Sequence, residues 1–170
     1  MLVYFIRHGN VENPNGLKYG RLPGFPLSEV GQDEIRRIVA ELVDKNIEVI
    51  YSSPLLRTKQ TARLIEVRLK VPLFFDNRLL EFDCGQYQGF SESEYREREL
   101  WRFGGETLQQ SGDRIIDFLN SVKSENKYKT IVVVSHEGPI IMALLNRAGK
   151  TVDDYDSIKL STGGFIKYDF

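Results

Sequence analysis

The sequence predicts an α/β fold, a three-layer sandwich in which a mainly parallel central sheet carries helices on both faces. Two observations predict it. Short runs rich in Val, Ile, Tyr and Phe alternate along the chain with longer stretches whose apolar residues recur at helical spacing. The short runs are apolar throughout rather than at every second position, as expected for strands covered on both faces by the helices that connect them.

The elements follow in order. Residues 2–6, LVYFI, form the first strand. Ile35, Ile38, Val39, Leu42 and Val43 then mark one apolar stripe on a helix that ends near Asn46. Residues 47–51 are the second strand. Ser53 before Pro54 reads as an N-cap with proline in the first turn, opening a second helix with Leu55, Thr58, Ala62, Ile65 and Leu69 on one face. Residues 73–75 form the third strand, Leu108, Gly112, Ile115, Leu119 and Val122 mark a third helix, and residues 131–134 form the fourth strand. After Gly138 and Pro139 a fourth helix covers 140–148 and stops at Gly149, and residues 165–168 make the last strand. The stretch 13–25, crowded with Gly and Pro, reads as a long loop, and the highly charged stretch 92–102 as an exposed helix or lid. No repeat or linker interrupts the pattern, so residues 1–170 are expected to form a single domain.

A chain of 170 residues can bury roughly two thirds of its unfolded surface. Lys plus Arg total 23 against 24 Asp plus Glu, with no long basic block. Electrostatic capture of nucleic acid or a membrane surface is therefore not expected. Cys84 is the only cysteine, which excludes an internal disulfide and a multi-cysteine zinc site and fits a reducing compartment. The first apolar run is interrupted by Arg7 and is too short for a signal peptide or a membrane span. A soluble cytoplasmic protein is the expectation.

In open α/β sheets, ligands bind outside the carboxyl ends of the strands. Here the first strand ends in Arg7, His8, Gly9 and Asn10, and the second in Ser52 and Ser53, with Arg57 one helical turn on. The third is followed by Arg78 and Glu81, and the fourth by Ser135, His136 and Glu137. Both histidines of the chain thus occupy one rim. Arginine forks at Arg7 and Arg57, with helix N-termini at Ser53 and Gly138, suit phosphoryl oxygens. A neutral imidazole can attack phosphorus near neutral pH, and Glu81 can protonate the leaving alkoxide if its pKa is raised.

Each group taken alone has a plainer reading: a structurally satisfied histidine, a surface Arg57, a solvated Glu81. Their shared edge favours a site. Other chemistries fail on spacing. A cysteine phosphatase loop needs Arg six positions after its Cys, where Cys84 has Phe90, leaving Cys84 a packed or inert thiol. Around Ser135 the glycine positions of a hydrolase elbow hold Val133 and Glu137. No His-x-His or His-Glu-x-x-His pair supports a metal site, and no phosphate-binding Gly-rich loop supports a P-loop nucleotide hydrolase.

In chain order, IRHGN, RLPGFPLSEVG, SSPLLRTKQTA, RLLEFDCGQYQG, FGGETLQQSGDRIIDFL and VVVSHEGPI resemble the histidine phosphatase superfamily in its phosphoglycerate mutase-like branch. The match covers nearly the whole chain. The resemblance implies a phosphoglycerate mutase-like sandwich with His8 as the nucleophile that becomes phosphorylated and Arg7, Arg57 and His136 as the phosphate pocket. Glu81 would be general acid to the leaving group and then general base for water. It further implies substrate contacts at Asn10, Arg21 and Gly24, no metal or cofactor, and a backbone carbonyl at Gly9 that fixes the tautomer of His8. Two departures bear on substrate. After the signature, relatives often carry Glu or Gln, then Thr, then Trp-Asn; here the run is Asn10, Val11, Glu12, Asn13, Pro14, so Asn10, Asn13 or Asn15 stands in for the missing Asn. Glu137 replaces a small residue, placing a negative charge near the phosphate unless it points away.

The expected function is a metal-independent phosphomonoesterase, a histidine acid phosphatase-type hydrolase, acting through phosphohistidine on a small phosphorylated metabolite. Mutases of the resembling family carry a longer insertion where this chain has only the interval from Gly89 to Phe103. A shorter lid, around Tyr95 and Trp101, admits water to a reactive intermediate. The alternatives are phosphoglycerate mutase-type phosphoryl transfer and a phosphate-binding regulatory protein without turnover. The substrate stays open among sugar phosphates, phosphoglycerate, nucleotide monophosphates and phosphorylated ribazole, and a homodimer stays open as the assembly.

Overall fold

A computed structural model describes residues 1–91 and 104–170, and the expected lid at 92–102 lies outside them. The strands are β1 Leu2–Arg7, β2 Val49–Ser52, β3 Leu73–Phe75, β4 Thr130–Ser135 and β5 Phe165–Asp169. They form one 5-stranded sheet in the order β3-β2-β4-β1-β5. β5 is antiparallel to β1 and the remaining pairs are parallel. The helices are α1 Glu29–Leu42, α2 Leu56–Leu69, α3 Leu108–Ser124 and α4 Glu137–Arg147.

Side chains that alternate along β1 explain the layers. Val3 and Phe5 pack with Ile115, Phe118 and Leu119 of α3 and Ile140 and Ala143 of α4. Tyr4 and Ile6 pack with Ile35, Val39 and Leu42 of α1 and Ala62 and Ile65 of α2. β4 divides in the same way, Ile131 and Val133 to one side and Val132 and Val134 to the other. Each such side chain contributes about 1.5–3 kcal/mol when fully buried, so both faces of the central strands must be apolar. The three-layer α/β sandwich expected from the sequence is the observed fold.

The helix ends differ from the expectation where the chain serves the strand rim. α2 opens at Leu56, not after Ser53, and its cap residue Leu55 makes no side-chain cap bond. Ser53 is fully buried; its hydroxyl meets His136 Nε2 at 3.0 Å and its carbonyl accepts the Thr58 hydroxyl at 2.8 Å. α4 opens at Glu137 rather than 140, because His136 itself stands in extended conformation at the N-cap. Gly138 and Pro139 then fall in the first turn, where the missing N–H of proline has no helical partner to lose. α1 opens at Glu29, where the Ser28 hydroxyl accepts from Gly31 N at 3.0 Å.

The parallel pairing sets Arg7 beside Ser135 and Ser52 beside Val134, so β1, β2 and β4 all end on one edge. Leaving β1, residues 8–10 cross the first turn of α1 backbone to backbone. A Cβ on Gly31 would lie 2.0 Å from Asn10 O, and one on Gly9 would lie 2.5 Å from Gly31 O. Neither position has room for a side chain. Replacing Gly31 by Ala forces the two backbones apart and is expected to lower unfolding stability by about 1–3 kcal/mol, measured by urea denaturation; an unchanged midpoint would show that the crossing can relax.

Candidate active site

The first turns of α2 place Arg57 beneath the rim, 1% exposed. Its Nε donates to His8 Nε2 at 3.2 Å, and its Nη2 donates to Gly20 O at 2.8 Å and His136 Nδ1 at 3.2 Å. The guanidinium also lies over the Tyr19 ring, 4.6 Å from its centroid. Burial draws the pKa of Arg57 down, with the Glu81 charge opposing, yet arginine stays a cation. Among the described residues none of its hydrogen-bond acceptors is a carboxylate. A buried charge held only by neutral acceptors is costly until an anion joins it.

The two imidazoles face each other across this guanidinium, ring centroids 5.2 Å apart and planes inclined by 64°. His8 Nδ1 lies 2.8 Å from Gly9 O. A carbonyl only accepts, so Nδ1 carries the hydrogen and Nε2 keeps its lone pair, assigned here from the bonding pattern. Burial, then the charges of Arg57 and Arg7, push the His8 pKa down to about 3 against the Gly9 bond. His136 is held well below its ordinary value chiefly by burial and next by Arg57. Its Nδ1 accepts from Arg57, so its Nε2–H donates to Ser53 Oγ.

Glu81, in the loop after β3, is raised above the ordinary carboxyl range by burial, with Arg57 the largest opposing charge. Its Oε1 accepts from Phe82 N at 3.0 Å and its Oε2 stands 3.6 Å from His136 Nδ1. That gap is too long for a hydrogen bond, and with His136 held neutral it is not an ion pair. Arg7 Nη1 donates to Leu160 O at 2.8 Å and pairs with Glu137 Oε2 at 2.9 Å. Its Nε is buried and has no hydrogen-bond partner among the described residues. Glu137 thus points at the site rather than away from it.

Arg7, His8, Tyr19, Glu81 and Glu137 line one cavity of about 290 Å³, and Arg57 and His136 lie behind His8. Of the three asparagines only Asn13 reaches the wall, its amide spanning Leu17 N and O at 3.0 Å each. Asn10 and Asn15 are exposed; the Asn10 carboxamide oxygen accepts from Ser28 Oγ at 2.8 Å, and its N–H donates to Glu34. Arg21 is not brought to the cavity either, because its donors are taken by Glu81 O at 2.7 Å, Glu106 at 2.7 Å and Asp83 at 3.4 Å. Gly24 is exposed at φ +84° with open space around it. Arg78 pairs with Asp76 and Asp117, away from the site. Cys84 is buried in the cavity wall and packs with Phe82 and Leu108.

Sequence reasoning missed Tyr19, the Gly20 and Leu160 carbonyls, and the Ser53 contact with His136. The first two sit in the aperiodic loop 13–25, the third is a backbone atom with no residue signature, and Ser53 carried a competing signal as a cap. Among the described residues no group of His, Cys, Asp and Glu could hold a metal ion, and no helix is long and apolar enough to cross a membrane.

Comparison with known proteins points one way. The family model of the histidine phosphatase superfamily (branch 1) matches residues 3–170. Phosphoserine phosphatase 1 of Hydrogenobacter thermophilus is 33% identical over 149 residues, spanning 79% of this chain and 70% of that one. The probable phosphoglycerate mutase GpmB of Salmonella paratyphi A is 29% identical over 147 residues, 79% and 68% of the two chains. In fold, the mycobacterial glucosyl-3-phosphoglycerate phosphatase superposes with a TM-score of 0.85 at 21% identity, over 98% of this chain and 91% of that one.

The depressed histidine has a consequence for stability. An unfolded His8 takes up a proton near its ordinary 6.5, whereas the folded one does so only near 3. Its contribution is therefore complete above that ordinary value and is lost as pH falls below it. Between about pH 7.5 and about pH 5, the wild type is expected to lose about 2 kcal/mol more unfolding stability than His8→Gln. Urea titrations at the two pH values measure this; equal losses would mean His8 is not held neutral.

Proposed function

Because the chain belongs to the histidine phosphatase superfamily, we propose that it is a phosphomonoesterase working through a phosphohistidine at His8. One observation carries the reading: Arg57, buried, bridges both histidines with no carboxylate among its hydrogen-bond acceptors. Beside it Arg7 keeps a buried Nε unbonded. A phosphoryl group is the dianion that two such forks accept.

The steps follow from the atoms. A bound phosphoryl group draws Arg57 Nε onto its oxygens and frees the His8 Nε2 lone pair. That pair forms the N–P bond while the ester P–O bond breaks, and the leaving oxygen takes the proton of Glu81. Arg7 and Arg57 hold the peripheral oxygens, whose charge they stabilise best as the bonds exchange, and His136, released by Arg57, joins them as the tautomer with its hydrogen on Nδ1 and Nε2 accepting from the Ser53 hydroxyl. Water then attacks the phosphohistidine, gives its proton to the Glu81 carboxylate, and the N–P bond breaks to release phosphate. His8 starts and ends neutral, which its depressed pKa favours. No step draws on a metal or a cofactor.

Hydrolysis is preferred to mutase transfer because the interval 89–103 is short, and a shorter segment there shields a reactive intermediate from water less than a long insertion does. A relative named as a phosphoserine phosphatase supports the same choice. The relative named as a probable phosphoglycerate mutase keeps phosphoryl transfer as the second reading. Substrates are small phosphate esters, and Asn13, Tyr19 and Glu137 are the side chains placed to meet the alcohol portion. The reading takes residues 1–170 as one cytoplasmic domain.

Purified protein is expected to release p-nitrophenol from p-nitrophenyl phosphate equally well with EDTA, and His8→Ala to lose about 1,000-fold or more of kcat/KM. Retained turnover in His8→Ala sinks the histidine mechanism, EDTA sensitivity sinks metal independence, and phosphate exchange between positions of phosphoglycerate without release favours the mutase. The pH profile carries a second expectation. Glu81 must be protonated to donate, and burial raises its pKa, so kcat/KM for phenyl phosphate falls as pH rises through a value above the ordinary carboxyl range. That limb disappears in Glu81→Gln; a limb that persists there belongs to another group.

A further inference from the structure

Glu81 sits on a loop that leaves the 3-10 turn Asn77–Leu79 without regular hydrogen bonding of its own. A proton donor on such a segment needs an external frame. The frame here is made of side chains from two distant motifs, both outside the catalytic cavity. Arg114 of α3 donates through Nη1 to Arg78 O at 2.7 Å and Leu80 O at 3.0 Å. The carbonyl of Glu81 itself accepts twice, from Arg21 Nε at 2.7 Å and from Arg114 Nη2 at 3.3 Å.

Two guanidinium groups converging on one carbonyl repel each other, and Glu106 relieves that repulsion. Its carboxylate, 15% exposed, lies between them: Oε1 accepts from both Arg21 Nη2 and Arg114 Nη2, and Oε2 accepts from Arg114 Nε at 2.9 Å. Oε1 also takes the N–H of Asp83 at 3.0 Å, while Glu106 N donates to Asp83 O at 3.1 Å. The loop is therefore gripped on both sides of Glu81. The geometry points to Glu106, with Arg21 and Arg114, as a positioning clamp that aims the Glu81 carboxyl at the leaving oxygen. This inference rests on the phosphatase reading and adds residues that never touch substrate.

The test separates aim from folding by leaving-group acidity. Phenyl phosphate and p-nitrophenyl phosphate share one ring, but phenol is much the weaker acid and needs the proton from Glu81, whereas p-nitrophenolate departs with little help. In Glu106→Gln the side-chain volume is kept, but the amide NH2 faces a guanidinium donor and one link opens. The expected result is a fall in kcat/KM of about 10-fold for phenyl phosphate and less than about 2-fold for p-nitrophenyl phosphate, a part of the general-acid contribution. Arg114→Lys, which cannot fork, gives the same split, and Glu81→Gln a larger one. Parallel losses on both esters, or no loss on phenyl phosphate, overturn the clamp. A wild type that cleaves neither ester overturns the phosphatase reading instead, and a Glu81→Gln without the split overturns the role of Glu81.

Discussion

A buried guanidinium without a carboxylate among its acceptors is the constraint around which this molecule is arranged. Arg57 is removed from water and bonded to two imidazoles and a carbonyl, all neutral acceptors. Taking a charge out of water costs several kcal/mol in proteins even after relaxation, and the rest of the fold has to sustain that cost. Burial first and this charge second lower both histidines, and the charge opposes the rise that burial gives Glu81. Burial and this one cation together bias the protonation of the proposed nucleophile and acid, and the cation's demand for an anion is what the proposed mechanism offers to a phosphoryl group.

The site divides by how its parts are held. His8 and His136 leave neighbouring parallel strands whose side chains are buried on both faces, so their separation is fixed by the sheet. Glu81 and Arg7 depend on longer reach. Arg7 is steadied by the Leu160 carbonyl and by Glu137, which hold its Nη1 corner and leave Nε turned to the interior. Glu137 also brings a carboxylate to Arg7 at the cavity wall, and in the proposed reaction that charge would partly offset Arg7 and weigh against esters carrying further anionic groups. A rigid nucleophile and a loop-borne acid suit chemistry in which the leaving group varies while the phosphoryl group does not.

Much of this was legible in the sequence, for physical reasons that differ by element. Residues 2–6 and 131–134 could be read as central strands because nothing polar interrupts them, and counting two residues past each brings up His8 and His136. Arg57 followed from one helical turn beyond a strand end. Glu81 came up as a proton donor from its place after the third strand, and the resemblance to a known family added its second role, as base toward water, since an irregular loop has no period to read. What stayed hidden are contacts closed only by folding, such as Arg7 with the Leu160 carbonyl and the Gly20 carbonyl with Arg57. Ser53 reads as a helix cap because the same hydroxyl suits a cap and an imidazole; in the fold its short contact is to His136 at 3.0 Å, and Leu55 N reaches it only at 3.5 Å. Asn10, Arg21 and Gly24 were placed at the substrate by motif position, whereas packing gives Asn10 to Ser28 and Arg21 to the Glu81 loop.

The central claim is a covalent one, that the phosphoryl group passes through Nε2 of His8. It is tested most directly by quenching the protein with alkali during turnover of p-nitrophenyl phosphate and recording the phosphorus NMR spectrum and the mass of the peptide bearing residue 8. A phosphoryl group is expected on His8 in the Nε2-linked isomer, because Nδ1 is committed to the Gly9 carbonyl. Phosphate on Nδ1, on another residue, or on none during active turnover would contradict it.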